Sequence, residues 1–367
     1  MENSDFIYQA KLFNRTLPEE KAEMDDLVTQ KHIEIVDTIH LQLRELARIN
    51  NPSKKMDEQA VTEFISSTVG PQHLYDYGVW AYYPWLKKIV HLLAEAEFIQ
   101  VRTSRNKYKI TPEEIAVLST KKVGIIGLSV GQSIAMTMAM ERICGELRLA
   151  DFDEVELSNM NRIRCSVQDL GLNKTIIAAR QIAEQDPYLR VRCFIKGVTA
   201  DGIDDFLSGY GKLDLLVEES DGIDMKIISR IKAKEYGIPV IMDTNDKGML
   251  DVERFDLEPE RPIFHGRLTR IEGLSLHELA DKLSNLSISE KVEYLVDIIG
   301  FENVSNAMKA SLPEMNKTIV GWPQLASAVI LGGAMVTDVG RRILLNKMST
   351  SGRYFVDFDE IIRDFKA

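Results

Sequence analysis

The stretch KKVGIIGLSVGQSIAMTMAMERICGELRLAD, residues 121–151, holds two short β-rich runs, VGIIGL (123–128) and ELRLAD (146–151), around a helical segment over about 132–143. The same alternation continues downstream. A helix is predicted around 174–184, a strand at VRCFI (191–195) and another at LDLLVE (213–218). A helix over 225–236 and the run PVIMD (239–243) follow. Apolar runs without polar alternation, separated by helices, predict parallel strands joined by crossover helices and covered on both faces. The expected class is therefore α/β, a doubly wound, mainly parallel sheet. After Asp243 the alternation weakens: 251–272 reads as short strands and loops, and 276–310 and 322–347 as helical.

Upstream, apolar residues recur near helical spacing over 21–49, at Leu27, Ile33, Ile35, Ile39, Leu41 and Leu43 among others. Asn50-Asn51-Pro52-Ser53 breaks that pattern. Residues 56–100 carry an aromatic cluster: Tyr75, Tyr77, Trp80, Tyr82, Tyr83 and Trp85. It reads as packing of a small helical N-terminal domain onto the main one, or as a wall on which a substrate stacks. The expected division is a helical domain at 1–100, a main domain at 101–345 and a C-terminal tail at 346–367.

Composition narrows the function classes. The net charge of −11 over 367 residues argues against a broad nucleic-acid surface. Cys144, Cys165 and Cys193 contain no C-x-x-C pair, which speaks against a zinc ribbon, and so sparse a set fits a reducing compartment. The N-terminal residues lack the pattern of a secretory signal, and no apolar run approaches the roughly 20 residues of a membrane helix. A cytoplasmic location is expected.

The turn Gly124-Ile-Ile-Gly127-Leu-Ser129-Val-Gly131-Gln132 ends the first strand of the main domain and opens a helix. Such a turn aims backbone N–H groups and a helix N-terminus at a phosphate. Ser129 and Gln132 stand where a G-x-G-x-x-G pattern has its second and third glycines, and Ser129 can itself donate a hydrogen bond. Gly127, Ser129 and Gly131 are thus candidate nucleotide-binding residues, with the nucleotide undecided and a structural turn as the other reading. Asp151, 24 residues beyond Gly127, is placed to accept from ribose hydroxyls, or else to serve as a loop or cap aspartate.

The following run, ADFDEVELSNMNRIRCSVQDLGLNK (150–174), offers Asn159, Arg162 and Lys174. An amide and two cations near a ribose-type aspartate suit a polyphosphate, and the cations would neutralise charge on a leaving pyrophosphate.

D-F-D-x-V-E-x-S-N-x-N-R, followed by G-x-N-K and by E-S-D at 219–221, resembles the adenylation domain of ThiF, MoeB and ubiquitin-type E1 enzymes. GLSVG and LDVERFDLEPERPI are similar to a bacterial ThiF-like subgroup that often continues into a nitroreductase-like domain; this sequence ends at Ala367, before any such domain is expected. The resemblance spans about 100–345. It implies a Rossmann-like sheet of the E1/ThiF type and ATP-dependent transfer of AMP onto a substrate carboxylate.

It further implies that Asp151, supported by Asp153, holds the ribose; that Asn159, Arg162 and Lys174 contact the phosphates; and that Asp221 positions Mg²⁺. Arg105, with Arg102 in support, corresponds to an arginine that reaches the γ-phosphate across a homodimer, although Asn106 replaces the usual Gln. The carboxylate is left open between a carrier-protein tail, a peptide and a small molecule.

Members that carry sulfur use a cysteine beyond the strand at 213–218. None follows Cys193, and the paired zinc cysteines are missing, which leaves direct capture of the adenylate by an amine or another acceptor open beside sulfur carriage. Cys165 is read as a structural thiol or as lining the site. Asp243-Thr-Asn245-Asp246-Lys247-Gly248 is expected beside the acceptor or as a plain turn, His265 as a packed or surface histidine, and Trp322-Pro323-Gln324 as closing the site or forming a dimer face. Two competing classes stand beside the enzyme: a catalytically degenerate nucleotide- or partner-binding scaffold, and an NAD-dependent oxidoreductase.

Overall fold

The computed structural model describes residues 7–271 and 273–364. The chain forms two compact units, one running up to Glu113 and including Arg180–Tyr188, the other comprising Glu114–Ala179 and the residues from Leu189 onward.

The first unit corrects the helical expectation. It contains a four-stranded sheet in the order β1-β3-β4-β2, built from β1 (Lys11–Phe13), β2 (Glu34–Asp37), β3 (Val79–Tyr83) and β4 (Lys88–Leu92). The segment read as one helix over 21–49 is helix Pro18–Val28, strand β2, then helix Ile39–Asn50. Ile33 and Ile35 fit a helical spacing by count. The β-branched run Glu34-Ile35-Val36-Asp37 instead pairs with β4, because strand preference and a waiting edge outweigh so short a periodic match. The aromatics serve this unit's interior: Trp80 is fully buried beside Phe13, Met24 and Ile89, and stacks on His91 at 4.0 Å.

The second unit matches the expected α/β architecture. Its sheet has the order β11-β10-β9-β8-β5-β6-β7, with β5 (Lys122–Ile126), β6 (Glu146–Ala150), β7 (Arg190–Phe194), β8 (Leu215–Glu218), β9 (Val240–Asp243), β10 (Met249–Glu253) and β11 (Gly352–Phe355). Strands β7-β6-β5-β8-β9 are parallel, while β10 and β11 add antiparallel at one edge.

Neighbouring residues of a strand face opposite sides, and both sides here are apolar. Leu216 and Val240 join a core cluster with Met225 and Ile228 of helix Ile223–Glu235. Leu215 and Ile241 point the other way, to where Met138 of helix Leu128–Glu141 meets Gly340 of helix Ala326–Leu344. The sheet is therefore wound on both faces. The segment expected as a tail contributes β11, whose Arg353 donates to Asp251 of β10 at 2.6 Å. A four-residue Gly-Arg-Tyr-Phe run is too short and too polar to announce a strand by pattern alone.

Candidate functional site

β5 is flanked by β6 on one side and β8 on the other, so the strand order reverses between β5 and β8. A crevice opens at the carboxyl ends of strands at such a point. Here it is a cleft of about 230 Å³ lined by Gly127, Ser129, Asp151, Asp153, Lys174 and the segment Glu219–Gly222, among others.

Gly127 sits at φ 88°, and a Cβ there would lie 2.4 Å from the carbonyl oxygen of Glu219. Both facts restrict the position to glycine and bring the β5 and β8 loops together. The helix that follows starts at Leu128, whose N–H donates to Asp151 Oδ2 at 2.6 Å. Asp151 Oδ1 accepts from the Asp153 N–H at 2.8 Å. Burial pushes the Asp151 carboxyl above its ordinary range, opposed by Lys174 and by these two N–H groups.

Lys174 begins helix Lys174–Gln185; its buried ammonium donates to Asp153 Oδ2 at 2.7 Å. Arg162 is half-buried and grips Ser129 Oγ through Nε at 3.1 Å and Nη2 at 2.8 Å, while Nη1 donates to Asn161 Oδ1 at 2.9 Å. Burial lowers the pKa of the Arg162 guanidinium, and the nearby charge of Asp221 opposes that shift. Asp221 is exposed at the rim and makes no hydrogen bond among the described residues.

The structure thus gathers Gly127, Ser129, Asp151, Asp153, Lys174 and Asp221 around one cleft and ties Arg162 to it through Ser129. Gly131 has a different use: a Cβ there would lie 2.7 Å from Ile125 Cγ2, so it lets the helix sit close on β5. Asn159 is in the turn Leu157–Asn161, where its Oδ1 accepts from the Glu156 N–H at 3.1 Å. Arg105 and Arg102 belong to the first unit, Arg105 exposed on the turn Ser104–Asn106.

Sequence reading gave Glu219 no role beyond its place in E-S-D, although it lines the cleft at the end of β8, and missed Gly197-Val198 after β7. The signal for Glu219 was present: two acids, Glu218 and Glu219, close an otherwise apolar strand. They separate cleanly. Glu218 turns to Lys226 and Arg230, whereas Glu219 Oε1 accepts from the Asp243 N–H at 2.8 Å.

Burial and the neighbouring Asp243 hold the Glu219 carboxyl well above its usual range. Burial pushes Asp243 up to about 7, against N–H donors from Asn245 and Thr244. A carboxyl raised in the folded state keeps its proton where the unfolded chain has lost it. Its contribution to stability therefore falls as pH rises from about 4 to about 7 and stays lost above that. Asp243→Asn removes this charge, so thermal unfolding should show a gain of several degrees at pH 8 that shrinks towards pH 5. An equal gain at both pH values would contradict the assignment.

The polar loop after β9 is backbone-strained, with Asn245 at φ 53° and Lys247 at φ 56°. Asp251, Glu253 and His265 also lie close together. Arg230 and Arg353 pair with these acids, so the group is an internal ion network that already carries its cations. His265 is a packed residue held by Asp251 at 3.0 Å. Burial raises the Cys165 thiol, with Asp169 adding to it, and drives Cys144 up to about 12; neither has thiolate character. No helix among the described residues is long and apolar enough to cross a membrane.

A doubly wound α/β unit with a glycine turn, a buried aspartate and two cations at its switch point is the class that fold and cleft define. Residues 103–317, more than half of the chain, match the ThiF family, and the chain belongs to that family. An uncharacterised protein of Mycobacterium tuberculosis (strain CDC 1551 / Oshkosh), MT1398, is 47% identical over 278 residues, 76% of this chain and 38% of that protein. The chain thus spans well under half the length of that relative. The tRNA threonylcarbamoyladenosine dehydratase of Bacillus subtilis (strain 168) is 25% identical over 257 residues, covering 67% of this chain and 97% of that protein. Among solved structures, the E. coli tRNA N6-threonylcarbamoyladenosine dehydratase TcdA in complex with ATP has a TM-score of 0.47 at 16% identity, covering 70% of this chain and 98% of that one.

Proposed function

We propose that this protein adenylates a carboxylate: ATP binds in the cleft, AMP passes to the carboxylate, and the acyl adenylate goes on to an acceptor. The observation that carries the reading is that one stretch, the loop after β6, delivers both Arg162 and Lys174 to a glycine turn beside a buried aspartate. Asp151 accepts from the ribose hydroxyls, and each of its oxygens retains a lone pair beyond its backbone bond. The triphosphate lies over Gly127 and Ser129 at the helix N-terminus.

A carboxylate oxygen then attacks the α-phosphorus, the bond from that phosphorus to the bridging oxygen breaks, and pyrophosphate leaves with the electron pair. Arg162 and Lys174 neutralise the charge that builds on it, which requires Lys174 to share or exchange its bond to Asp153. Asp221 fits a Mg²⁺ ion, being an exposed carboxylate on the cleft with no hydrogen-bond partner among the described residues. An ion held there would screen the two anions that must meet.

The internal pairing of Lys174 with Asp153 is also what a nucleotide-binding scaffold without turnover would display. ATP–pyrophosphate exchange over a panel of carboxylates separates the two: exchange supports the enzyme, and ATP binding without exchange supports the scaffold.

Arg105 is proposed to serve the site of a partner subunit in a homodimer. Mixing inactive Arg105→Ala and Lys174→Ala proteins should then restore up to about a quarter of the exchange activity, through heterodimers that carry one intact site. Mixtures that stay silent at every ratio would remove that role.

A further inference from the structure

A second cavity of about 150 Å³ adjoins the nucleotide cleft and shares with it the segment Glu219-Ser220-Asp221. Its far wall is apolar, formed by Val292, Leu295 and Val296 of helix Ile288–Ile299, with Met308 and Leu312 from the next helical segment. Trp322-Pro323-Gln324 rims it, and the Gln324 carbonyl accepts from Asn161 Nδ2 at 2.9 Å, next to Arg162. The rim is thereby fastened to the loop that carries the phosphate-site cation. At the strand-end side it is lined by Asp243, Thr244 and Asn245, although Asp243 Oδ2 and Asn245 Oδ1 themselves lie against Gly332 of helix Ala326–Leu344.

An ordinary packing gap has no reason to open onto a nucleotide cleft past an exposed aspartate. A substrate site does: apolar walls take the body of a ligand, and a few polar groups at one end orient it.

We infer that this cavity receives an apolar side group of the carboxylate that is adenylated, so that the substrate class is acids bearing a branched aliphatic or single-ring group near the carboxyl. This rests on the adenylation reading and makes it specific. The carboxyl group lies at the shared segment, where it can meet the α-phosphorus, and its side group points between the two helical segments. The cavity size sets the limit, since an apolar cavity of about 150 Å³ accommodates benzene. A flexible glycine-ended tail would leave these walls unfilled. Each methylene buried there strengthens binding by about fourfold.

The test is ATP–pyrophosphate exchange with 4-methylpentanoate, phenylacetate, acetate and a hydrophilic glycine-ended peptide. The two apolar acids should exceed the other probes in kcat/KM by at least about 30-fold. Val296→Trp, which fills the cavity, should raise KM for the apolar acids by about tenfold or more while the KM for ATP stays unchanged. Leu295→Ala, which enlarges it, should shift preference to naphthylacetate and keeps the test open should the tryptophan variant not fold.

Exchange with acetate or the peptide at equal or better efficiency overturns the inference and leaves adenylation standing. Silence with every acid counts against adenylation, and saturation-transfer NMR of the acids on ATP-free protein then decides the cavity. Contacts from the apolar acids alone support the inference, and their absence overturns it.

Discussion

Lys174→Ala and Arg162→Ala should each lower ATP–pyrophosphate exchange by about 100-fold or more, with thermal unfolding shifted by only a few degrees. The size follows from their expected position. Removing one donor from a site that stabilises developing negative charge typically costs about 10²–10³ in kcat. The small structural effect follows from their present partners. Loss of Lys174 releases Asp153, whose side chain is 51% exposed and is readily solvated. Loss of Arg162 leaves Ser129 Oγ without two donors, but a neutral hydroxyl can turn to other partners. The loss should fall on kcat more than on the KM for ATP, because the charge the two cations meet is greatest as pyrophosphate leaves. Exchange at the original rate in both variants would remove the phosphate assignment.

Arg230→Ala should be the most destabilising of the substitutions considered, and for an unrelated reason. Arg230 is fully buried and joins two buried acids, donating to Glu218 at 2.5 Å and to Glu253 at 2.8 Å, while its guanidinium lies 4.2 Å from the Phe264 ring centroid. Removing one partner of such a network strands charge in the interior, at about 3–5 kcal/mol. In a unit of this size that corresponds to a fall in Tm on the order of 10 °C by calorimetry. Lys226 still faces Glu218, so Glu253 is the acid left most exposed to the loss. Arg230→Ala with Glu253→Gln should therefore recover part of the fall. Two losses that simply add would show that Arg230 and Glu253 are not coupled.

Much of the second unit was legible because its determinants are local. The strands β5, β6, β8 and β9 are unbroken apolar runs between helical segments, and Gly127 and Asp151 mark the ends of β5 and β6, which both line the cleft. The first unit was not legible in the same way. β2 is four residues long between two helices, and its pairing partner β4 lies some fifty residues further on, so a window of sequence sees only helical spacing. β11 was hidden for a similar reason: its neighbour β10 is a hundred residues earlier, and Arg353 is recognisable as a strand residue only once Asp251 is opposite it.

At the site, residue types were readable but partners were not. Nothing in the order of residues says that Arg162 rests on Ser129, or that Gly131 faces Ile125 instead of the cleft. Glu219 was given no role of its own, because an acid after a strand is common. Its meaning appears only with Asp243 beside it and both carboxyls buried.

Cations from the loop after β6 are expected to converge on a triphosphate whose sugar Asp151 holds. A crystal structure with Mg²⁺ and a non-hydrolysable ATP analogue tests this most directly. The ribose should lie on Asp151, with phosphate oxygens at hydrogen-bond distance from Arg162 and Lys174. A cleft without nucleotide at saturating analogue, with Arg162 still on Ser129 and Lys174 still on Asp153, would contradict it.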